Sequence, residues 1–263
     1  MPHLKAAVFD WAGTVIDYGS RAPMGAFVEV FARFGVTLTV AQAREPMGMA
    51  KLDHIKALGA QPEIAAQWRA AHGAAFDEAA ARKIYEVFVP LNAEVVVDHC
   101  DLIPGTLETV AALKARGMRL GSTTGYTRQI MARVTPLAAA QGYAPENMVC
   151  AEDLWAGRPT PVMMWKTFLD LRIEDASTVV KVDDTPVGVM EGVRAGAWTV
   201  GVSLSGNEMG LSPQEVAALP AAKRDARNAA ARDKLLAAGA HWVIDSVADL
   251  PDLLNEIEAR AAR

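Results

Sequence analysis

Six short apolar runs, "KAAVFD", "MRLGST", "NMVCAE", "STVVKVDD", "WTVGV" and "HWVID", punctuate this chain, and amphipathic segments fill most of the intervals between them. That alternation predicts an α/β fold, a doubly wound parallel sheet with helices on both faces. The helical patterns lie near "GTLETVAALKARG", "TRQIMARVTPLAAAQG", "PVMMWKTFLDLR" and "PVGVMEGVRAG", several closed by a glycine that suits a left-handed C-cap. Right-handed crossovers then put the C-terminal end of every strand on one rim. Asp10, Thr124, Asp183 and Asp184 stand at those ends.

One region breaks the rhythm. Between Gly19 and Asp98 no strand pattern occurs, and "PMGAFVEVFARFG", "MAKLDHIKALG", "PEIAAQWRAAHGAAFDEAA" and "ARKIYEVFVPLNAEVV" all carry a helical period. The sequence therefore predicts an α-helical cap, residues 19–98, inserted into a Rossmann-like core formed by 1–18 and 99–263. The hinges fall near Tyr18 to Ala22 and His99 to Pro104. The stretch from Ser205 to Gly239 is Ala-rich and charged, and reads as surface helix.

A chain of 263 residues buries a sizeable core without staples. Its two cysteines, Cys100 and Cys150, indicate no disulfide framework and suit a reducing cytoplasm. The first residues hold one lysine before a very short apolar run that already contains Asp10, so neither a signal peptide nor a membrane span is expected there. With a net charge of −5 and no basic block interleaved with aromatics, nucleic acid is not the expected partner. An anionic ligand must instead be held by positive charge placed locally.

The rim residues supply such chemistry. Asp10 ends the first run, and the Gly13-Thr14 turn after it exposes backbone N–H groups to an anion. Alone, an Asp there caps a turn. In "GSTTGYTR", Thr124 and Gly125 offer a hydroxyl and a free N–H just before a helix. Arg158, between Gly157 and Pro159, has a planar fork suited to a phosphoryl group. Asp183 and Asp184 repel one another unless a cation sits among them, and carboxylate oxygens are the ligands Mg2+ prefers.

In order along the chain, "DWAGT", "STTG", "GRP" and "VDD" resemble the motifs of the haloacid dehalogenase superfamily. The resemblance implies that Asp10 is a nucleophile forming an aspartyl phosphate. It implies Mg2+ held by Asp10, the backbone carbonyl of Ala12 and Asp184, with Asp183 nearby, and phosphate contacts from Thr124 and Arg158.

Ala12 is the departure. That place normally holds a second Asp, which protonates the leaving oxygen of a phosphate ester, a contribution of about two to four powers of ten. Its loss points away from an alkoxide leaving group. A carbon leaving group needs an electron sink, and a lysine condensed with an adjacent aldehyde provides one, because the protonated imine accepts the electron pair as an enamine. The cap offers Lys51 in "REPMGMAKLDHIKALG", after a Met-Gly-Met turn, with His54 on the same helix face. Met47 and Met49 make those surroundings apolar, which favours the neutral amine.

Together, "FDWAGTVIDYGS", "PMGMAKLDHI", "GSTTGYTR", "AGRPTP" and "KVDDT" are similar to the phosphonoacetaldehyde hydrolase (phosphonatase) family. The similarity implies Mg2+-dependent cleavage of the P–C bond of phosphonoacetaldehyde to acetaldehyde and phosphate, with Lys51 as Schiff-base lysine and Asp10 as nucleophile. It implies that Met47, His54, Tyr126 and Arg158 shape or polarise the site, and that two copies form a homodimer. Ser20 stands where a related enzyme carries Cys, which leaves a hydroxyl to hydrogen-bond in place of a thiol. The general base for phosphoenzyme hydrolysis stays open between the Lys51 nitrogen and His54 through water. The alternative reading is a phosphatase or phosphomutase of the same superfamily acting on small phosphate esters.

Overall fold

The first apolar run forms β1 (Ala6–Phe9) at the centre of a six-stranded sheet in the computed structural model, which describes residues 3–261. Five helices follow it in succession: α1 (Ala22–Arg33), α2 (Val40–Arg44), α3 (Lys51–Ala60), α4 (Pro62–His72) and α5 (Glu78–Val95). Alternation then begins with α6 (Thr106–Ala115), β2 (Arg119–Thr124), α7 (Arg128–Ala140), β3 (Val149–Cys150) and α8 (Val162–Asp170). It continues through β4 (Val179–Asp183), α9 (Pro186–Ala195) and β5 (Trp198–Val202). Two helices, α10 (Pro213–Ala218) and α11 (Ala221–Ala237), precede β6 (Trp242–Ile244), and α12 (Leu250–Ala261) ends the described chain.

Every pairing in the sheet is parallel, in the order β3-β2-β1-β4-β5-β6. Strand alternation sends Ala7 and Phe9 into the large core cluster on one face, and Ala6 and Val8 into a smaller one under Met164 and Phe168 on the other. The chain runs outward in one direction from β1 to β2 and β3, and in the other from β4 to β6. The crevice beyond the C-terminal end of β1 is therefore the topological switch point, where open α/β sheets bind their ligands. Phe9 pairs with Ser122 of β2 and Val182 of β4, so Asp10, Thr124 and Asp183 leave the sheet side by side.

The helical stretch has a core of its own. Phe27, Phe31, Ile55, Leu58, Ile64, Ile84 and Phe88 are fully buried in a cluster drawn wholly from residues 24–89. Phe27 stacks on Phe88 with ring centroids 4.1 Å apart. Among the described residues no strand falls between 19 and 98, and no helix is long and apolar enough to cross a membrane.

Two local expectations are corrected, and one helix forms where none was expected. "PEIAAQWRAAHGAAFDEAA" is not one helix: Gly73 ends α4 in a left-handed cap, and α5 starts anew at the Asp77 N-cap, whose side chain accepts from the Ala80 N–H. The short helix α2 lies in a stretch without an obvious period and is set by a capping box between Thr39 and Gln42. Helix fills only 213–218 and 221–237 of the stretch read as surface helix. Its first part is a loop with Ser205 and Asn207 buried, and that loop reaches the site described next.

Candidate active site

Asp10 leaves β1 as the strand ends, its backbone N–H donating to the Val182 carbonyl at 3.0 Å. The turn that follows is tight enough to need glycine. Gly13 has φ +83°, and a Cβ there would lie 2.0 Å from Asp184 Oδ2. Thr14 donates its hydroxyl to Asp184 Oδ1 at 3.2 Å, and the Asn207 N–H donates to Oδ2 at 2.7 Å. Loop, turn and strand end thus converge on Asp184, and oxygens of Asp10, Asp183 and Asp184 come within 4.8 Å of one another, all buried.

Arg158 spans this cluster. Its Nη2 donates to Asp10 Oδ1 at 2.8 Å and to the Thr123 carbonyl at 2.7 Å, and lies 3.2 Å from Asp183 Oδ2. Its Nε donates to Glu191 Oε2 at 3.1 Å, while Nη1 has no hydrogen-bond partner among the described residues. Lys181, inside β4 and fully buried, completes the network with contacts of 2.8 Å to Thr123 Oγ1, 3.0 Å to Asp183 Oδ2 and 3.2 Å to Glu191 Oε2. Burial works against the Arg158 charge, but Asp10, Asp183 and Glu191 outweigh it and raise its pKa, so the guanidinium stays protonated. The sequence reading missed Thr123, Lys181 and Glu191. Their only signal was a lysine in the apolar run "VVKVDD" and a glutamate on the buried face of "PVGVMEGVRAG".

The fit to a divalent cation follows from charge and donor type. Asp10, Asp183, Asp184 and Glu191 are opposed within the cluster by Arg158 and Lys181, leaving the equivalent of two negative charges in a buried site. Burial, then Asp10 and Asp183, push the Asp184 carboxyl well above its usual range. Burial also raises Asp10, against the pull of Arg158. Asp183 goes the other way, because Arg158 and Lys181 outweigh its burial. Both its oxygens are engaged by protein groups, Oδ1 by the Thr185 N–H and hydroxyl and Oδ2 by the two cations. A hard oxygen-loving dication beside Asp10 and Asp184 relieves that repulsion. Among the described residues no donor is hydrogen-bonded to the Ala12 carbonyl.

Opposite the strand ends, α3 begins at Lys51, which is 3% exposed. Its Nζ lies 4.9 Å from the Tyr126 ring centroid and 5.7 Å from that of Phe27. Burial lowers the ammonium pKa to about 7, against the opposing pull of Asp10. Lys51 lines one small cavity together with Asp10, Ala12, Ser20, Met47, Thr124, Gly125, Tyr126 and Arg158. Its volume, about 20 Å³, holds little more than a water molecule. Asp10 is the one carboxylate among the described residues on its wall.

Most of the residues expected at the site are thus brought together, with two qualifications. His54 shares the Lys51 helix but does not reach the cavity wall: its Nε2 donates to the Ala43 carbonyl at 2.9 Å, and its ring stacks on Phe27 at 3.9 Å. Burial, then the Lys51 charge, hold its pKa well below the ordinary value, so the ring is neutral. Met49 is only half-buried and is absent from the wall that Met47 helps to form. Gly125 earns its place by contact across the crevice, since a Cβ there would lie 2.8 Å from both the Gly48 and the Met49 carbonyl oxygens. Tyr126 is buried with its hydroxyl unpartnered.

Comparison with known proteins places the chain in a family. A family model of haloacid dehalogenase-like hydrolases matches residues 4–196. A phosphonoacetaldehyde hydrolase of Paraburkholderia xenovorans is 52% identical over 263 residues, covering 100% of this chain and 98% of that protein. The phosphonoacetaldehyde hydrolase of Klebsiella pneumoniae is 44% identical over 100% of this chain and 98% of its own. The crystal structure of a phosphonoacetaldehyde hydrolase-like protein from Oleispira antarctica superposes with a TM-score of 0.97 at 42% identity, covering 99% of this chain and 94% of that one. A β-phosphoglucomutase from Clostridium difficile, at 13% identity and a TM-score of 0.69 over 98% of this chain and 99% of its own, shares the fold. Full-length identity at this level, on a shared fold, means that the chain belongs to the haloacid dehalogenase-like hydrolases and, among them, to the phosphonoacetaldehyde hydrolase family.

Proposed function

We propose that this protein hydrolyses the carbon–phosphorus bond of phosphonoacetaldehyde, releasing acetaldehyde and phosphate. One observation carries the reading: a buried lysine whose pKa is lowered to about 7 shares a cavity with Asp10, and no second carboxylate lines that cavity to protonate an alkoxide. Residues 19–98 act as a cap on the core formed by 1–18 and 99–263. Because the cavity holds little more than a water molecule, substrate enters with the cap lifted and reacts with it closed.

The neutral Lys51 amine attacks the aldehyde carbon, and uptake of one proton with loss of water leaves a protonated imine; that proton is released again when the imine is hydrolysed. Asp10 then attacks phosphorus opposite the carbon. As the P–C bond breaks, its electron pair forms a C=C bond, and the C=N pair moves onto nitrogen, giving an enamine on Lys51 and a phosphoryl group on Asp10. The enamine takes up a proton at carbon, and one water hydrolyses the resulting imine to acetaldehyde and the free amine. A second water hydrolyses the aspartyl phosphate. Arg158 meets the phosphoryl oxygens through its unpartnered Nη1, with Thr124 and the Gly125 N–H opposite. Asp10, the Ala12 carbonyl and Asp184 would hold Mg2+, whose charge would offset that of the transferring phosphoryl group. Asp183 keeps Arg158 and Lys181 in register. Met47, Ser20 and Tyr126 wall the imine, and His54, neutral and one layer back, supports the apolar setting of Lys51. The homodimer belongs to the same proposal, and sedimentation velocity measures it.

Borohydride trapping in the presence of phosphonoacetaldehyde, followed by peptide mapping, tests the mechanism. Wild type should acquire a substrate-derived adduct on Lys51. Lys51→Arg should acquire none and lose phosphate release by about 10³-fold or more. An active wild-type enzyme without an adduct would sink the imine route.

A further inference from the structure

Arg44, at the end of α2, sends its guanidinium out of the helical segment and into the seam with the core. Its Nη1 donates to the Gly19 carbonyl at 2.8 Å, to Asn207 Oδ1 at 3.0 Å and to the Asn207 carbonyl at 3.1 Å, with the Ser20 carbonyl at 3.4 Å. Nη2 reaches the Gly210 carbonyl at 3.3 Å. None of these acceptors is a carboxylate. One planar group therefore ties together the cap, the linker that leads into it and the buried loop 205–211. The linker is fastened to the same loop independently, because the Gly19 N–H donates to the Ser205 carbonyl at 2.8 Å. The core side is shaped to receive the fork: Gly210 has φ +64°, and a Cβ there would lie 2.6 Å from Arg44 Cζ.

Two structures at the site hang on this clamp. Ser20, whose carbonyl Arg44 touches, lines the reaction cavity. Asn207, held by Arg44 through both its carbonyl and its side chain, directs its own N–H to Asp184 Oδ2. We propose that Arg44 is a positioning residue that couples closure of the cap to the seating of Asp184. With the cap down, the guanidinium fixes the 205–211 loop, and the Asn207 N–H orients the Asp184 carboxylate toward Asp10. When the cap lifts, the guanidinium withdraws, and water takes over its carbonyl acceptors. The idea rests on the proposed function for its opening and closing, while the geometry of Asp184 stands without it.

The test compares wild type, Arg44→Met, Arg44→Lys and Gly210→Ala in two independent assays. Mn2+ affinity, read from the electron paramagnetic resonance of the free ion, reports the seating of Asp184 without turnover. Phosphate release from phosphonoacetaldehyde gives kcat and KM. Losing hydrogen bonds to a charged group predicts Mn2+ binding weakened about tenfold in Arg44→Met, with kcat falling by about 30-fold or more and KM moving less than about threefold. Gly210→Ala, which displaces the fork from the core side, should reproduce that pattern, and Arg44→Lys should recover part of it. Unchanged Mn2+ affinity in both Arg44→Met and Gly210→Ala overturns the coupling, as does a loss confined to KM. Failure of wild type to release phosphate counts against the proposed function instead, and the Mn2+ affinities still decide the role of Arg44.

Discussion

The two halves of the site are built on opposite principles. On the core side, Asp10, Asp183, Asp184, Glu191, Arg158 and Lys181 form a dense buried network in which almost every charge has a partner. On the helical side, Lys51 sits among aromatic rings, with no counter-ion within ion-pair distance among the described residues, and His54 is kept neutral. Phosphoryl transfer needs fixed charge, because the group in flight is anionic throughout. Imine formation needs an uncharged amine, which a low-dielectric pocket favours. On the proposed mechanism, the two demands fall on two segments, each with its own hydrophobic core, that meet at the crevice.

The sharpest way to separate the halves is to disable one and read the other. Asp10→Asn removes the proposed nucleophile while leaving the helical segment untouched, so phosphate release should fall by at least about 10⁴-fold. Borohydride should still trap phosphonoacetaldehyde on Lys51 in this variant. Loss of the adduct as well would mean that the core charge, rather than the cap, activates the lysine.

The cap side breaks through its packing. Phe27 is fully buried, stacks on Phe88 and His54, and lies beside the Lys51 amine. Phe27→Ala should cost about 3–5 kcal/mol in urea-induced unfolding, the usual result of emptying an aromatic site. The milder Phe27→Leu, which keeps the cap folded, should let water nearer Lys51 and move its pKa up from about 7 toward the ordinary lysine value. A variant that loses stability but keeps the lysine pKa would show that the rings hold the cap together without tuning the amine.

The same contrast decides what could be read from the sequence. The core announced itself because β strands buried on both faces leave largely apolar runs, and "AAVF" leads directly into Asp10 while "VVKVD" ends in Asp183, two of the carboxylates that meet at the rim. Ala12 and Lys51 were legible as a pair, because the proposed reaction needs no acid at the one and an amine at the other. What escaped was held by tertiary contact. Lys181 and Glu191 break an apolar pattern for a reason visible only when Arg158 is folded between them. Arg44 and Asn207 lie in stretches that look like ordinary surface, and their roles come from carbonyl groups brought together by the fold. His54 shares a helix face with Lys51, yet it is held against Phe27 and the Ala43 carbonyl, contacts visible only in the fold, and does not line the cavity that Lys51 reaches.

The smallest expected effect is the most diagnostic of the cap. A lysine that must be neutral to attack loses activity as it gains a proton, so kcat/KM for phosphonoacetaldehyde should rise with pH through an apparent pKa near 7 and level off above it. Below that point the fall should approach tenfold per pH unit, because the unprotonated fraction shrinks by that factor. The sign follows from burial: removing the ammonium from water disfavours the charged form and lowers the pKa, and Asp10 across the cavity only partly restores it. An ordinary solvated lysine, titrating near 10.4, would instead give a rate still climbing tenfold per unit between pH 7 and 9. Repeating the profile with Phe27→Leu closes the comparison, since the acid limb should move upward with the lysine while the core network, untouched by that change, keeps the plateau rate limited by phosphoryl transfer within about a factor of three.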